Sequence, residues 1–181
     1  QPCLCVLWTC EDNLHFSEKD SRRRGDPCFH YTVLDQAWRA TNTTTKFKMC
    51  DRNVKWKGWY RLFYKGKSIQ MPERCVPLNK CGTNSPLWLA GPHPKRREGI
   101  VTRRVCGHWK KNCCAFRSTP IKVKKCLGNY YVYKFTQPSS CYLAYCAGIT
   151  YKWTFLGKTI NMGSGLIFMM SLADGTQISD I

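Results

Sequence analysis

Two cysteines stand side by side, Cys113-Cys114, at the end of a stretch from Met71 to Cys114 that holds five cysteines, two tryptophans and five prolines. That density of prolines is incompatible with a long helix. A segment this irregular cannot bury enough apolar surface to hold itself together, so covalent cross-links are expected to share the task. Adjacent sulfurs rarely satisfy disulfide geometry with each other, so the pair is expected to diverge toward two different partners. The remainder of the chain must supply those partners.

It has enough of them. The 181 residues contain 13 cysteines, which points to an oxidising compartment, secreted or at the cell surface. Repeated Cys-x-x-Cys or paired-histidine spacings, which would announce a zinc protein, are missing. Cys106, His108, Cys113 and Cys114 are metal ligands by type, but oxidation of the sulfurs would abolish such a site, so no metal and no cofactor is expected. Because the count is odd, at least one thiol is free or paired beyond this chain. No charged-then-apolar leader opens at Gln1, as expected of a processed chain or an excised fragment. The apolar run near Leu166–Leu172 is far too short to span a bilayer, so no transmembrane segment is expected.

The net charge is +18, and no acidic residue occurs between Glu98 and Asp174. Charge of this size speeds encounters with polyanions. Outside the cell these include sulfated glycans and anionic bacterial envelopes. A basic surface with no dedicated ligand has the same composition.

In chain order, three regions are expected. Residues 1–25 form an N-terminal extension carrying Cys3, Cys5 and Cys10 and ending in a basic linker, Ser21-Arg22-Arg23-Arg24-Gly25. Residues 26–146 form the main domain, and 147–181 a cysteine-free tail with hairpin strands around Trp153–Ile160. Within the main domain, Thr32-Val33-Leu34-Asp35 reads as a capping box, and Val33, Leu34, Ala37 and Trp38 fall at helical spacing, predicting a short helix that ends near Thr41. Asn42-Thr43-Thr44 follows as an N-glycosylation sequon. Strands are predicted over Gly58–Tyr64, turning at Lys65–Ser68 into Ile69–Met71, and over Gly99–Cys106, Pro120–Cys126, Asn129–Phe135 and Cys141–Cys146. The aromatic residues among them, Trp56, Trp59 and Tyr60, read as core rather than as a stacking platform, so no specific nucleic-acid partner is expected. The fold class so predicted is a small disulfide-rich α+β domain: a short antiparallel sheet, one short helix and long cross-linked loops.

Four histidines invite comparison with a ribonuclease, which needs two imidazoles in one cleft, but nothing local brings two of them together. Carboxylates are scarce, and neither Gly-x-Ser-x-Gly nor His-Glu-x-x-His occurs. No catalytic residue is proposed, and the chain is not read as an enzyme.

The pieces DPC at Asp26–Cys28, TVLDQAWRAT at Thr32–Thr41, CDR at Cys50–Arg52, GWYRLFY, MPERCVP, CGTNSPLWLAGPHP, EGIVTRRVCGHW, the Cys113-Cys114 pair, GNYYVYKFT and CYLAYC occur in this order. Together they resemble the cysteine-rich, or eight-cysteine, domain of uromodulin, pancreatic glycoprotein 2 and the liver-specific zona-pellucida-type protein. The resemblance covers about two thirds of the chain and implies the bridges Cys28–Cys126, Cys50–Cys141, Cys75–Cys113, Cys81–Cys146 and Cys106–Cys114. It also implies an extracellular, non-enzymatic decoy whose N-linked glycans are recognised by a mannose-binding fimbrial adhesin. Two departures stand against carrying that role over directly. Lys134 replaces the glycan-bearing asparagine of uromodulin, and Ala90 stands at a second such position. Asn42 remains as the candidate glycan site. The expected function is a secreted or cell-surface interaction module, with a microbial adhesin or another extracellular protein as partner through a glycan. The alternative is a basic defence protein that binds anionic bacterial surfaces or sulfated glycans directly.

Overall fold

The computed structural model describes residues 25–155 and 158–163. Ten strands lie in this range: β1 (Thr32–Leu34), β2 (Tyr60–Tyr64), β3 (Lys67–Ser68), β4 (Ser85–Leu89), β5 (Ile100–Trp109), β6 (Asn112–Lys125), β7 (Tyr131–Lys134), β8 (Leu143–Tyr145), β9 (Thr150–Phe155) and β10 (Lys158–Gly163). The first eight form one sheet, ordered β1-β2-β7-β6-β5-β4-β8, with β3 paired to β2. β9 and β10 pair with each other in an antiparallel hairpin, where hairpin strands were expected. The basic linker, Cys3, Cys5, Cys10, His15 and the run near Leu166–Leu172 lie outside the described residues.

The α+β expectation is wrong. No α-helix occurs among the described residues; the only helical pieces are 3-10 turns at Ala37–Arg39, Asp51–Asn53 and Arg96–Glu98. The predicted helix over Thr32–Thr41 is instead β1, running parallel to β2, followed by the first of these turns. Tertiary partners override the local pattern. The Thr32 amide donates to the Trp59 carbonyl at 2.7 Å. The Asp35 carboxylate accepts from the Lys65 and Gly66 amides at 3.0 and 2.8 Å, so it does not reach back to cap its own turn. Thr32 and Val33 are β-branched, which suits an extended segment better than a helix.

The sheet is also larger and more mixed than a short antiparallel one. β1–β2 and β4–β8 are parallel, and the other pairs are antiparallel. Past β8 the chain turns back across the sheet. The Ala147 amide donates to Arg39 and the Gly148 amide to Gln70, at 2.8 and 2.7 Å, while Ala147 accepts from Thr41 at 3.1 Å. These bonds carry the end beyond β8 to the segments flanking β1 and β3, and the sheet curls around an interior.

That interior is fuller than a chain held mainly by sulfur would need. Side chains alternate across a strand, so Tyr60 and Leu62, Leu87 and Leu89, Ile121 and Val123, Leu143 and Tyr145 all turn inward and are buried together with Met71, Val105, Tyr133 and Phe135. Each large side chain so buried stabilises by about 1.5–3 kcal/mol. Phe135 stacks on Tyr145 at 4.3 Å and on Tyr133 at 5.5 Å, and Trp56 meets Tyr60 and Phe135 edge-on at 5.0 Å. The stretch Met71–Cys114 supplies β4, where no strand was expected, and β5, which follows the strand expected over Gly99–Cys106 and runs on to Trp109. Leu89 is buried, whereas Trp88 is partly covered, packs against Val76, Cys81 and Cys146, and donates to the Cys113 carbonyl at 2.9 Å.

Candidate functional site

Five disulfides close the domain. They join Cys28 to Cys126, Cys50 to Cys141, Cys75 to Cys113, Cys81 to Cys146 and Cys106 to Cys114, with Cα separations between 4.6 and 5.6 Å. These are the pairs that the sequence resemblance implies. The vicinal cysteines diverge because both lie in β6, where neighbouring side chains leave opposite faces. Cys114 braces the β5–β6 hairpin through Cys106, while Cys113 reaches the loop at Cys75.

Of the four residues that are metal ligands by type, His108 and Cys113 come together, but with Cys75 rather than with Cys106 and Cys114. The two sulfurs are bonded to each other and His108 Nδ1 donates to the Val76 carbonyl at 2.7 Å. The cluster therefore offers no thiolate to a metal.

His93 is held differently. It is buried, with its ring 4.3 Å from that of Tyr131. Tyr133 Oη accepts from the Met71 amide at 3.0 Å and lies 2.7 Å from His93 Nε2. The Glu73 carboxylate only accepts, so the imidazole proton lies on Nδ1, and Nε2 of the neutral ring accepts from the Tyr133 hydroxyl. Burial pushes the His93 pKa down, and Arg103 and Lys125 push the same way against Glu73. Burial pushes the Glu73 carboxyl up, but the His93 amide and ring outweigh it and hold it below the usual range. Tyr133 is raised well above the ordinary phenol by burial. Both ring nitrogens of His93 are thus occupied by the protein itself. His108 has its own partner, and His30 lies exposed on the N-terminal turn. The three described histidines are not gathered into one acid–base cleft.

Sequence reasoning also missed the buried ion pair. Arg39 Nη1 and Nη2 donate to the two Asp51 oxygens at 2.6 and 2.7 Å. Asp51 also accepts from the Tyr145 amide at 2.8 Å, and the guanidinium lies 4.1 Å from the Trp38 ring. Such a fork-to-fork pair, with its remaining atoms satisfied, is the form in which a protein interior tolerates charge. The motifs around both residues were read as family markers, and their separation of twelve positions gave no local signal.

The charge is confined to this domain. Residues 25–149 hold twenty-three lysines and arginines against five carboxylates, which accounts for the whole net charge of +18, since the flanks carry six of each sign. Every one of the five carboxylates is engaged. Asp51 pairs with Arg39, Glu73 with His93, Glu98 with Arg103 at 3.4 Å, and Asp26 with Lys124 at 2.8 Å, while Asp35 holds two amides. Burial pushes Asp26 up, but the Lys124 and Cys28 hydrogen bonds hold it below the usual range. Among the described residues, only three of the twenty-three cations therefore have a carboxylate partner. For the other twenty, no carboxylate of residues 25–149 is left to meet them. Asn42 is exposed, in the turn closed by the Thr43 amide on the Ala40 carbonyl at 2.9 Å.

The family model described as "Uromodulin-like", for the eight-cysteine type of domain, matches residues 60–147. Rattus norvegicus uromodulin is 42% identical over 147 residues, covering 80% of this chain and 22% of that protein. The pancreatic secretory granule membrane major glycoprotein GP2 of Canis lupus familiaris is 44% identical over 124 residues, covering 68% of this chain and 24% of its own length. Human GP2 is 41% identical over 121 residues, covering 67% and 22%. The chain thus spans less than a quarter of the length of these relatives. No helix among the described residues is long and apolar enough to cross a membrane. Through its strand-rich, five-bridged segment, the chain belongs to the uromodulin-like cysteine-rich family and is a secreted or cell-surface domain of the uromodulin and GP2 type.

Proposed function

We propose that this domain is a non-enzymatic extracellular binding module that engages polyanionic ligands through its surface cations. One observation carries the reading: all five carboxylates in residues 25–149 are committed to internal partners, and most of the cations are not. Arrays of like charge that cost stability through self-repulsion find compensation in a ligand of opposite sign. Retention on an immobilised sulfated glycan, measured against salt, tests it. Late elution with an affinity that drops steeply as salt rises is expected, because exposed charges are screened. Elution together with a neutral protein of similar size would remove the reading.

A second reading rests on the exposure of Asn42 in its turn. An N-glycan attached there would stand clear of the sheet and could be presented to a microbial adhesin. Trimming the glycan enzymatically and repeating a bacterial adhesion assay separates the two readings. Adhesion lost on trimming supports the glycan route, and adhesion retained leaves the protein surface as the binder.

A further inference from the structure

The register of the sheet places Lys122 of β6 directly opposite Lys134 of β7 on one side, and opposite Thr102 of β5 on the other. All three are exposed. They share the outward face, because their neighbours Ile121, Val123 and Tyr133 fill the core. Side chains directly opposed in an antiparallel pair start about 4.5–5.5 Å apart, and like charges there are unfavourable. A carboxylate alongside would relieve the pair, yet all five in residues 25–149 have other partners, among them Asp26, which is taken by Lys124.

A further cation lies diagonally beside this rung. Arg104 lies two residues beyond Thr102 on β5 and is exposed, while its neighbours turn away: Val105 is buried, and Arg103 bonds the Pro92 carbonyl at 2.8 Å and Glu98. The register shift between Arg103 and Val105 keeps Arg104 on the same outward side, opposite Thr119 and Pro120. Arg104, Lys122 and Lys134 thus form a line of cations across three adjacent strands, fixed by backbone pairing, with the Thr102 hydroxyl within it.

We propose that this line is the docking site for the sulfate groups of a linear sulfated glycan, an inference that rests on the polyanion reading above. Two opposed ammonium groups at this spacing can share one oxyanion, which turns a repulsive rung into a charge-assisted clamp. The line lies on the body of a sheet face, where an extended chain can be laid. A bilayer would first meet a protrusion such as the β5–β6 turn at Trp109-Lys110-Lys111. The threonine hydroxyl suits a polyhydroxylated chain better than a lipid tail.

The test compares two charge-matched variants of the full chain, Lys122→Gln/Lys134→Gln and Lys55→Gln/Lys57→Gln. Lys55 and Lys57 are exposed and lie outside the line. Calorimetric titration with a defined sulfated oligosaccharide is expected to show about tenfold or greater weakening in the first variant, and about twofold in the second. Lys122→Arg/Lys134→Arg should retain binding, and thermal melts should show no loss of fold in any of them. Equal losses in the two glutamine variants would overturn this site while leaving the polyanion reading intact. Absence of binding by the unaltered chain would overturn both. Loss in the first variant of binding to phosphatidylserine vesicles only, with the oligosaccharide unaffected, would overturn the glycan assignment.

Discussion

In the interior, Arg39 meets Asp51 through two short hydrogen bonds, and His93 is closed on both nitrogens by Glu73 and Tyr133. On the outward face, the register sets Lys122 opposite Lys134 and Thr102. The same sheet supports both arrangements, so the difference is not one of scaffold. Inside, an unpaired charge costs several kcal/mol, and each one present is matched atom for atom. Outside, water screens an unmatched lysine at little cost, and the few carboxylates are absorbed by structure. The comparison separates charges that hold the fold from charges left for something else.

That separation can be broken from the structural side first. Replacing Cys28 and Cys126 together by alanine opens the longest covalent loop among the described residues, 98 positions. In the chain-entropy model this costs about 4–5 kcal/mol, read as a lowered denaturant midpoint under non-reducing conditions. Asp51→Ala comes next: it strands the Arg39 guanidinium in the core and is expected to cost about 3–5 kcal/mol in the same assay. A loss below about 1 kcal/mol would mean that the interior tolerates unpaired charge, and the comparison would lose its basis.

His93→Ala should cost about 1–3 kcal/mol through lost hydrogen bonds and packing, and it should also change the pH profile. The folded state holds His93 neutral, with its pKa below the ordinary value of 6.5, against Glu73, Tyr133, Tyr131, Arg103 and Lys125 around it. The unfolded chain therefore binds a proton first as pH falls. Stability is full above 6.5 and declines below it, until the folded imidazole titrates as well. Glu73, also depressed, adds a loss of the same sign at lower pH. The variant should flatten the decline that begins near 6.5, and an unchanged slope would show that His93 does not carry it.

The smallest effect belongs to the outward face. Lys122→Gln/Lys134→Gln should leave stability within about 0.5 kcal/mol, or raise it slightly by removing the opposed charges. A large destabilisation would place these lysines among the groups that hold the fold and would erase the contrast.

Several parts of this picture are visible in the residues alone. The aromatic runs at Gly58–Tyr64 and Asn129–Phe135 carry the alternation of strands, and β2 and β7 lie within them. The cysteine partners follow the resemblance. What is lost is set by distance. The segment at Thr32 has helical spacing, and only its pairing with Tyr60–Leu62 makes it a strand. Arg39 and Asp51 stand twelve positions apart, and His93 and Tyr133 forty, so nothing local links them. The opposition of Lys122 and Lys134 depends on the register of β6 against β7, and the place of Arg104 on the shift between β5 and β6; neither is visible in spacing. Net charge and its confinement to residues 25–149 were legible, whereas the commitment of every carboxylate there needed the three-dimensional partners.

The most direct measurement of whether the outward cations serve a ligand is amine footprinting of the native chain, with and without a sulfated glycan, read by peptide mass spectrometry. Lys122 and Lys134 should be protected from labelling when the glycan is present, while Lys55 and Lys57 label as before. Protection spread evenly over all exposed lysines, or its absence at Lys122 and Lys134, would contradict the account.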